Sequence, residues 1–222
     1  MRFANEKLMG RELGALYTAL HDELVWLHWG WTQYVALYDT KQSRLDLMNE
    51  SAPFFFWIVQ RMMWNDTLMA ISRLAGPPRT MGKENLSIRR LTDLVVDAKL
   101  KRQVAKHVAR VATSAKFAMA WRNKHLAHRD LNRALGRRAA RLPVANRTKV
   151  DNVLSRMAET LNAVQAYFDG STVLYDFPSV LGDAEAVLSV LRDGRRREEV
   201  RARKLDEDKY DPADWNDDLP AV

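Results

Sequence analysis

Apolar side chains recur along most of this chain at steps of three and four, the spacing at which a helix repeats one face. Leu13, Leu16, Tyr17, Leu20, Leu24, Leu27, Trp31, Tyr34 and Tyr38 form one such stripe and predict a long amphipathic helix over about residues 7–39. Val25, Trp26, Trp29 and Val35 widen its apolar sector, so the helix is expected to pack against more than one neighbour. His21 and His28 share a face of it, with no Asp or Glu beside them at metal-binding spacing, and read as structural or surface residues.

A polar link around Asp39 to Ser43 follows, and then Ser51 and Pro53 provide a cap and a first-turn proline for a helix that runs to about Ala75. Phe54 to Val59, Met62, Met63, Leu68, Met69, Ile71 and Leu74 make it apolar nearly all round, as suits the centre of a bundle. Asp66 and Arg73 interrupt it and are expected in ion pairs with neighbouring helices. Gly76 to Lys83 breaks the pattern and predicts a surface loop. Asn85 or Ser87 can cap a shorter helix, and Asp97 the next. Val104, Val108, Val111, Ala115, Ala118 and Trp121 supply the core stripe of that helix. Its Arg102, Lys106 and Arg110 form a basic row, either a solvated face or a track for an RNA backbone. Residues 133–146 read as a basic, irregular connection. Val150 to Phe168 restores the three-four spacing up to Gly170, a suitable C-terminal cap. A last helix is predicted near Asp183 to Leu191, interrupted at Gly194 and extended by charged residues to Lys204. No strand-like alternation and no internal repeat appears. The fold expected is all-α: a multi-helix bundle over residues 1–192, then a charged arm and acidic tail over 193–222.

Composition narrows the chemistry. The 222 residues include no Cys, which removes disulfides, thiol nucleophiles and Cys-based zinc sites and fits a cytoplasmic protein. The polar N-terminus does not read as a secretory signal, and the longest apolar run, Phe54 to Val59, is far short of the roughly 20 residues a membrane span needs. No membrane association is expected. The net charge is +7, although Asp206 to Val222 sets seven acidic residues against Lys209 alone, so the body before the tail is still more basic. A basic body favours polyanionic partners, RNA among them.

The densest ionisable stretch is Trp121 to Asp130, which gathers Arg122, Asn123, Lys124, His125, His128, Arg129 and Asp130. Phosphate-binding glycine loops, H-E-x-x-H, G-x-S-x-G and Glu-x-x-His pairs are all missing from the chain. What remains is acid-base chemistry on a phosphate, with no metal and no cofactor, using Arg and His. The 2′-hydroxyl of RNA can attack its adjacent phosphate if one group takes its proton, another protonates the leaving 5′-oxygen, and cations stabilise the transition state.

Arg122-Asn123-Lys124-His125-Leu126-Ala127-His128 resembles the R-x4-6-H motif of the HEPN superfamily, with a polar residue directly after the arginine. More narrowly, RNKHLAHRD (residues 122–130), preceded by DTLMAISRLAGPP (66–78) and NLSIRRL (85–91), looks like the AbiU2-like branch, over about residues 10–170. Arg102 to His107 satisfies the same spacing. Its surroundings differ: it lies inside a regular helical stripe, whereas the later copy has Asn123, His125 and Asp130 beside it. The resemblance implies a HEPN-like bundle, a homodimer with both motifs facing one cleft, and a metal-independent endoribonuclease acting as a toxin or anti-phage effector, with an antitoxin or regulatory partner. The alternative is an inactive HEPN-type module that binds RNA or protein. Carried onto this chain, the motif assigns Arg122 to the transition-state phosphate, Asn123 to phosphate or histidine positioning, and His128 to proton transfer. Lys124, His125, Arg129 and Arg73 are candidates for substrate binding. On an unbroken helix Arg122 and His128 would point about 120° apart, so the helix is expected to bend near Leu126, or a second subunit to complete the site.

Overall fold

The computed structural model describes residues 1–126, 131, 135–137, 141–176 and 182–209. Its helices are α1 (Arg2–Met9), α2 (Arg11–Tyr38), α3 (Gln42–Ser51), α4 (Pro53–Leu74), α5 (Leu91–Leu94), α6 (Ala98–Ser114), α7 (Lys116–Trp121), α8 (Arg147–Asp169) and α9 (Ala184–Asp206). A 3-10 turn spans Ile88–Arg90 and a π turn Arg122–Leu126. One antiparallel hairpin, β1 (Arg79–Thr80) with β2 (Lys83–Glu84), stands in the loop after α4. The described residues are therefore all-α apart from that hairpin, and none of their helices is long and apolar enough to cross a membrane.

Two compact units form. The first draws on residues 1–34 and 60–176 of the described chain, the second on 35–59 and 182–209. In the first unit α2 supplies the deepest layer: Leu20 and Leu24 are fully buried, with Leu13, Tyr17, Leu27 and Trp31 beside them on the stripe. Leu68 and Ile71 of α4, Val104 and Val111 of α6, and Val150, Val153, Met157, Leu161 and Val164 of α8 complete the core, with α6 lying along α8. Each such side chain contributes about 1.5–3 kcal/mol by leaving water. The Trp31 indole also donates to Asp151 at 2.6 Å, tying α2 to α8. In the second unit α9 lies on α3, with Met48 and Leu188 buried and the Arg44–Glu185 pair at 2.6 Å.

Helix ends follow their capping residues. Asp97 accepts from the amides of Lys99 and Leu100, Asn146 from that of Lys149, and Asp183 from those of Glu185 and Ala186. Gly170 closes α8 in the left-handed region, φ 72°. Ser87, not Asn85, caps the 3-10 turn. Four expectations need correction. The first long helix is broken, because Gly10 adopts φ 87° and turns α1 back onto α2. Ser51 ends α3, its hydroxyl donating to Leu47, instead of capping α4. The loop after α4 is partly ordered as the hairpin, braced where the Asn85 side chain donates to Pro77 and Thr80. Finally, α9 runs through Gly194 without interruption. A helical glycine costs only about 1 kcal/mol, and the strong helix formers around it, with the Arg195–Glu198 pair, offset that.

The α1–α2 corner is tight. Asn5 donates to Thr18, Thr18 donates to the Gly14 carbonyl, and a Cβ on Gly14 would collide with the Asn5 carbonyl and the Glu6 amide. Gly30, on the same helix, faces open space. Gly14→Ala should therefore cost about 1–3 kcal/mol in urea denaturation, whereas Gly30→Ala should raise stability by about 0.5–1 kcal/mol; equal effects would contradict this packing.

Candidate functional site

The segment that leads to the candidate motif is held by its ends. In α6, Thr113 and Ser114 turn their hydroxyls back onto the carbonyls of Ala109 and Val111, a bonding mode that loosens a helix, and the chain steps at Ala115 into α7. At the end of α7 the Trp121 indole donates to the Pro143 carbonyl at 2.9 Å. The same ring meets His125 edge-on at 5.7 Å. Between these fixed points the chain widens into the π turn Arg122–Leu126. Such a turn holds one residue more than an α-turn, so the face pattern of α7 does not carry through Arg122–Leu126 unchanged. The chain thus departs from regular α-helix over Arg122–Leu126, while the bend that would bring His128 round to Arg122 falls on residues outside the described ones.

Arg122, half-buried, lines a cavity of about 410 Å3 in the first unit. Arg73 from the last turn of α4 and Glu23 from α2 line it too, with Ser72, Thr80 and Asn85. Gly76 lets the chain leave α4 sharply, since a Cβ there would crowd the Ser72 carbonyl at 2.8 Å. The Ser87 hydroxyl then bonds the Gly76 carbonyl at 2.6 Å and the Arg89 guanidinium bonds that of Ala75 at 2.9 Å, fixing the far wall. Most neutral polar groups of the cavity are used internally: Ser72 donates to Met69, and Asn85 donates to Pro77 and Thr80. The charged groups remain. Arg73 and Glu23 stand 3.9 Å apart, each about half exposed, a weak pair. Two guanidiniums against one carboxylate leave one net positive charge, which matches a single phosphodiester anion.

Of the residues singled out from the sequence, Arg122 and Arg73 thus share one cavity. Asn123 and Lys124 are exposed on the π turn and do not line it. His125 packs on Trp121, and its shielded Nδ1 has no hydrogen-bond partner among the described residues. His128 and Arg129 lie outside the described residues, as does Asp130. Arg102 is exposed on α6 while His107 turns toward Glu159 at 3.8 Å, so no described cavity unites that second copy of the spacing. Glu23 escaped notice in the sequence; its only signal is an acid flanking the buried stripe of α2.

A second polar group of side chains lies along another flank of α2. His21 meets the Tyr175 hydroxyl at 2.9 Å, His28 meets Asp176 at 2.9 Å, and His28, His107, Asn162 and Tyr175 line a cavity of about 510 Å3. Burial holds all three histidines below the ordinary value, although Asp22, Asp176 and Glu159 respectively pull the other way. Burial also pushes the Tyr17 hydroxyl up to about 12 and Tyr175 further. Among the described residues no three His, Asp or Glu side chains are grouped so as to hold a metal ion.

These depressed histidines give stability a pH dependence. The unfolded chain binds protons at the ordinary histidine value, about 6.5, while the folded chain does not. Their contribution is complete above that value and is lost as pH falls toward the depressed folded values. Urea midpoints should therefore fall between pH 7.5 and pH 5, less steeply in His28→Gln; an equal slope in the variant would contradict the assignment.

Comparison with known proteins adds one match. The family model HEPN_AbiU2, described as AbiU2, matches residues 11–187, most of the chain and all of the cavity just described. No curated protein and no solved structure matches.

Proposed function

The chain belongs to the AbiU2 family of HEPN proteins, and from that premise we propose that it is a metal-independent endoribonuclease of an abortive-infection or toxin system, cleaving RNA by attack of a 2′-hydroxyl on the adjacent phosphate. The observation that carries the reading is the meeting of Arg122 and Arg73 in one cavity with a single net positive charge. Guanidinium forks bind non-bridging phosphate oxygens in the ground state and hold them more strongly as charge builds on the pentacovalent phosphorus. In this reading Arg122 stabilises the transition state and Arg73 anchors the phosphate. Asn123, next to Arg122 on the π turn, orients the phosphate or His128, and His128 moves a proton. Lys124, His125 and Arg129 bind neighbouring parts of the RNA.

A second copy of the chain is part of the proposal. Trp26 and Trp29 in the first unit, and Phe54, Phe55 and Trp57 in the second, are large apolar side chains left at least 45% exposed. Exposed aromatics of this kind on each unit favour association. A homodimer would also allow Arg122 of one protomer to serve His128 of its partner. The proposed setting is the cytoplasm, with RNA as substrate and a neutralising or regulatory protein as a further partner.

Purified protein incubated with cellular RNA in EDTA should yield fragments ending in 2′,3′-cyclic phosphate. His128→Ala and Arg122→Ala should each reduce the rate by about 100-fold or more. Salt-sensitive binding of RNA without cleavage would instead identify a non-catalytic binding module.

A further inference from the structure

The turn of the β1–β2 hairpin holds a conformation that its residue type does not favour. Arg79 faces Glu84 and Thr80 faces Lys83, so Met81 and Gly82 alone make the turn, and both have positive φ, 50° and 78°. A two-residue turn of that kind prefers Asn, Asp or Gly at its first position, where a larger side chain crowds its own backbone. Glycine fills the second position, but methionine fills the first. No packing within the described chain offsets the strain, because Met81 is 96% exposed.

The arm that presents this side chain is firmly built. The Asn85 side chain donates to Pro77 and Thr80, its backbone amide donates to Pro78 at 2.8 Å, and Glu84 stands 3.2 Å from both Arg79 and Arg90. Thr80 and Asn85 also line the cavity that holds Arg73 and Arg122, so the hairpin continues one wall of that cavity into solvent. Directly opposed residues of an antiparallel pair project on one face, which puts Lys83 on the face of Thr80. Lys83 is exposed and has no ion-pair partner among the described residues, while the acid of the hairpin, Glu84, is shared by two arginines.

Resting on the ribonuclease reading above, we propose that this hairpin is a second RNA-holding element, selective for single strands. Lys83 binds the phosphate next to the one in the cavity, and Met81 packs against the base of the adjoining nucleotide. Charge supports the pairing: the cavity carries one net positive charge, enough for one phosphate, and each further nucleotide brings another anion that Lys83 is free to meet. Its ammonium, on a flexible four-carbon stem, suits a backbone contact that carries no sequence information. The thioether of Met81 is polarizable and adaptable, so it accepts an aromatic base of any identity. A single strand offers such a base unstacked, whereas a duplex keeps it paired.

Binding to a labelled RNA oligonucleotide carrying 2′-fluoro groups, which has no 2′-hydroxyl to attack with, separates holding from cleavage. Lys83→Gln should weaken single-strand binding about 5-fold and lower the salt slope by about 0.7, the value for one phosphate contact. Met81→Asn relieves the turn and should raise the melting temperature, yet weaken single-strand binding about 5-fold and shrink the preference for single strand over duplex by the same factor. The chain has no Cys, so Met81→Cys carries a single thiol; with an azidophenacyl group attached it should crosslink to the bound strand on illumination. Wild-type affinity in Lys83→Gln or in Met81→Asn, an equal loss on duplex and single strand in Met81→Asn, or no crosslink from Met81→Cys would each overturn the role of the hairpin, and cleavage of ordinary RNA by the wild-type protein would leave the ribonuclease reading standing. Binding without cleavage by the wild-type protein would overturn the ribonuclease reading alone; no binding of RNA at all would overturn both.

Discussion

Burial of one stripe of α2 is the constraint on which the rest of the first unit depends. Leu20 and Leu24 are removed from water completely, and the helices α4, α6 and α8 contribute buried side chains to the same core. Once that stripe is fixed inward, the rotation of the helix has no freedom left, and every residue on its flanks is aimed by the same packing. Glu23 and the pair His21 and His28 fall on opposite flanks, roughly 140–160° apart at 3.6 residues per turn. The carboxylate is thereby turned to the cavity with Arg73 and Arg122, and the imidazoles to Tyr175, Asp176 and the α6–α8 side.

The two flanks solve opposite electrostatic problems. On the histidine side the groups are deeply placed, and burial dominates: the rings stay neutral in spite of nearby carboxylates, and the tyrosine hydroxyls keep their protons. The hydrogen bond between His21 and Tyr175 satisfies two such neutral groups at little desolvation cost. On the Glu23 side the charged groups are half exposed and incompletely paired, and charge is retained. A weak ion pair beside a second guanidinium contributes little to stability. It does provide charge that an incoming anion can reorganise, and this is the physical difference between the structural cluster and the candidate site.

Much of this arrangement was legible in the sequence because it rests on local physics. The three-four stripes located α2, α6 and α8, a run apolar nearly all round located α4, and Asp97, Asp183 and Gly170 marked helix ends by bonding to amides within their own turn or adopting a left-handed backbone. Illegible features depend on partners distant in the chain. Ser51 and Ser87 are equally good caps by type, and only the break at Ala52 and the Gly76 carbonyl decide what each bonds. The indole of Trp121 could be assigned to the core stripe, but not its bond to Pro143, twenty-two residues away. Arg73 was noticed because a charge interrupts an apolar helix. Glu23 was not, because on α2 acids at the edge of the stripe are ordinary, and only the fold brings this one beside Arg122.

The same reasoning explains why spacing could not choose between the two arginine–histidine pairs. On an α-helix five residues turn the side chain through about 140°, and in α6 that is what separates Arg102 from His107: the helix is regular, its stripe is committed to α8, and the histidine turns toward Glu159 at 3.8 Å while the arginine stays in solvent. The later copy begins where regularity ends. Trp121 is pinned to Pro143, His125 is wedged against the same ring, and the chain between them has widened into a π turn, so the residues after Arg122 are freed from the register that α7 would impose. A sequence pattern that counts residues treats both copies alike. What separates them in the structure is that the earlier copy lies in regular helix, whereas the later one begins in a π turn flanked by an indole hydrogen bond and a ring contact.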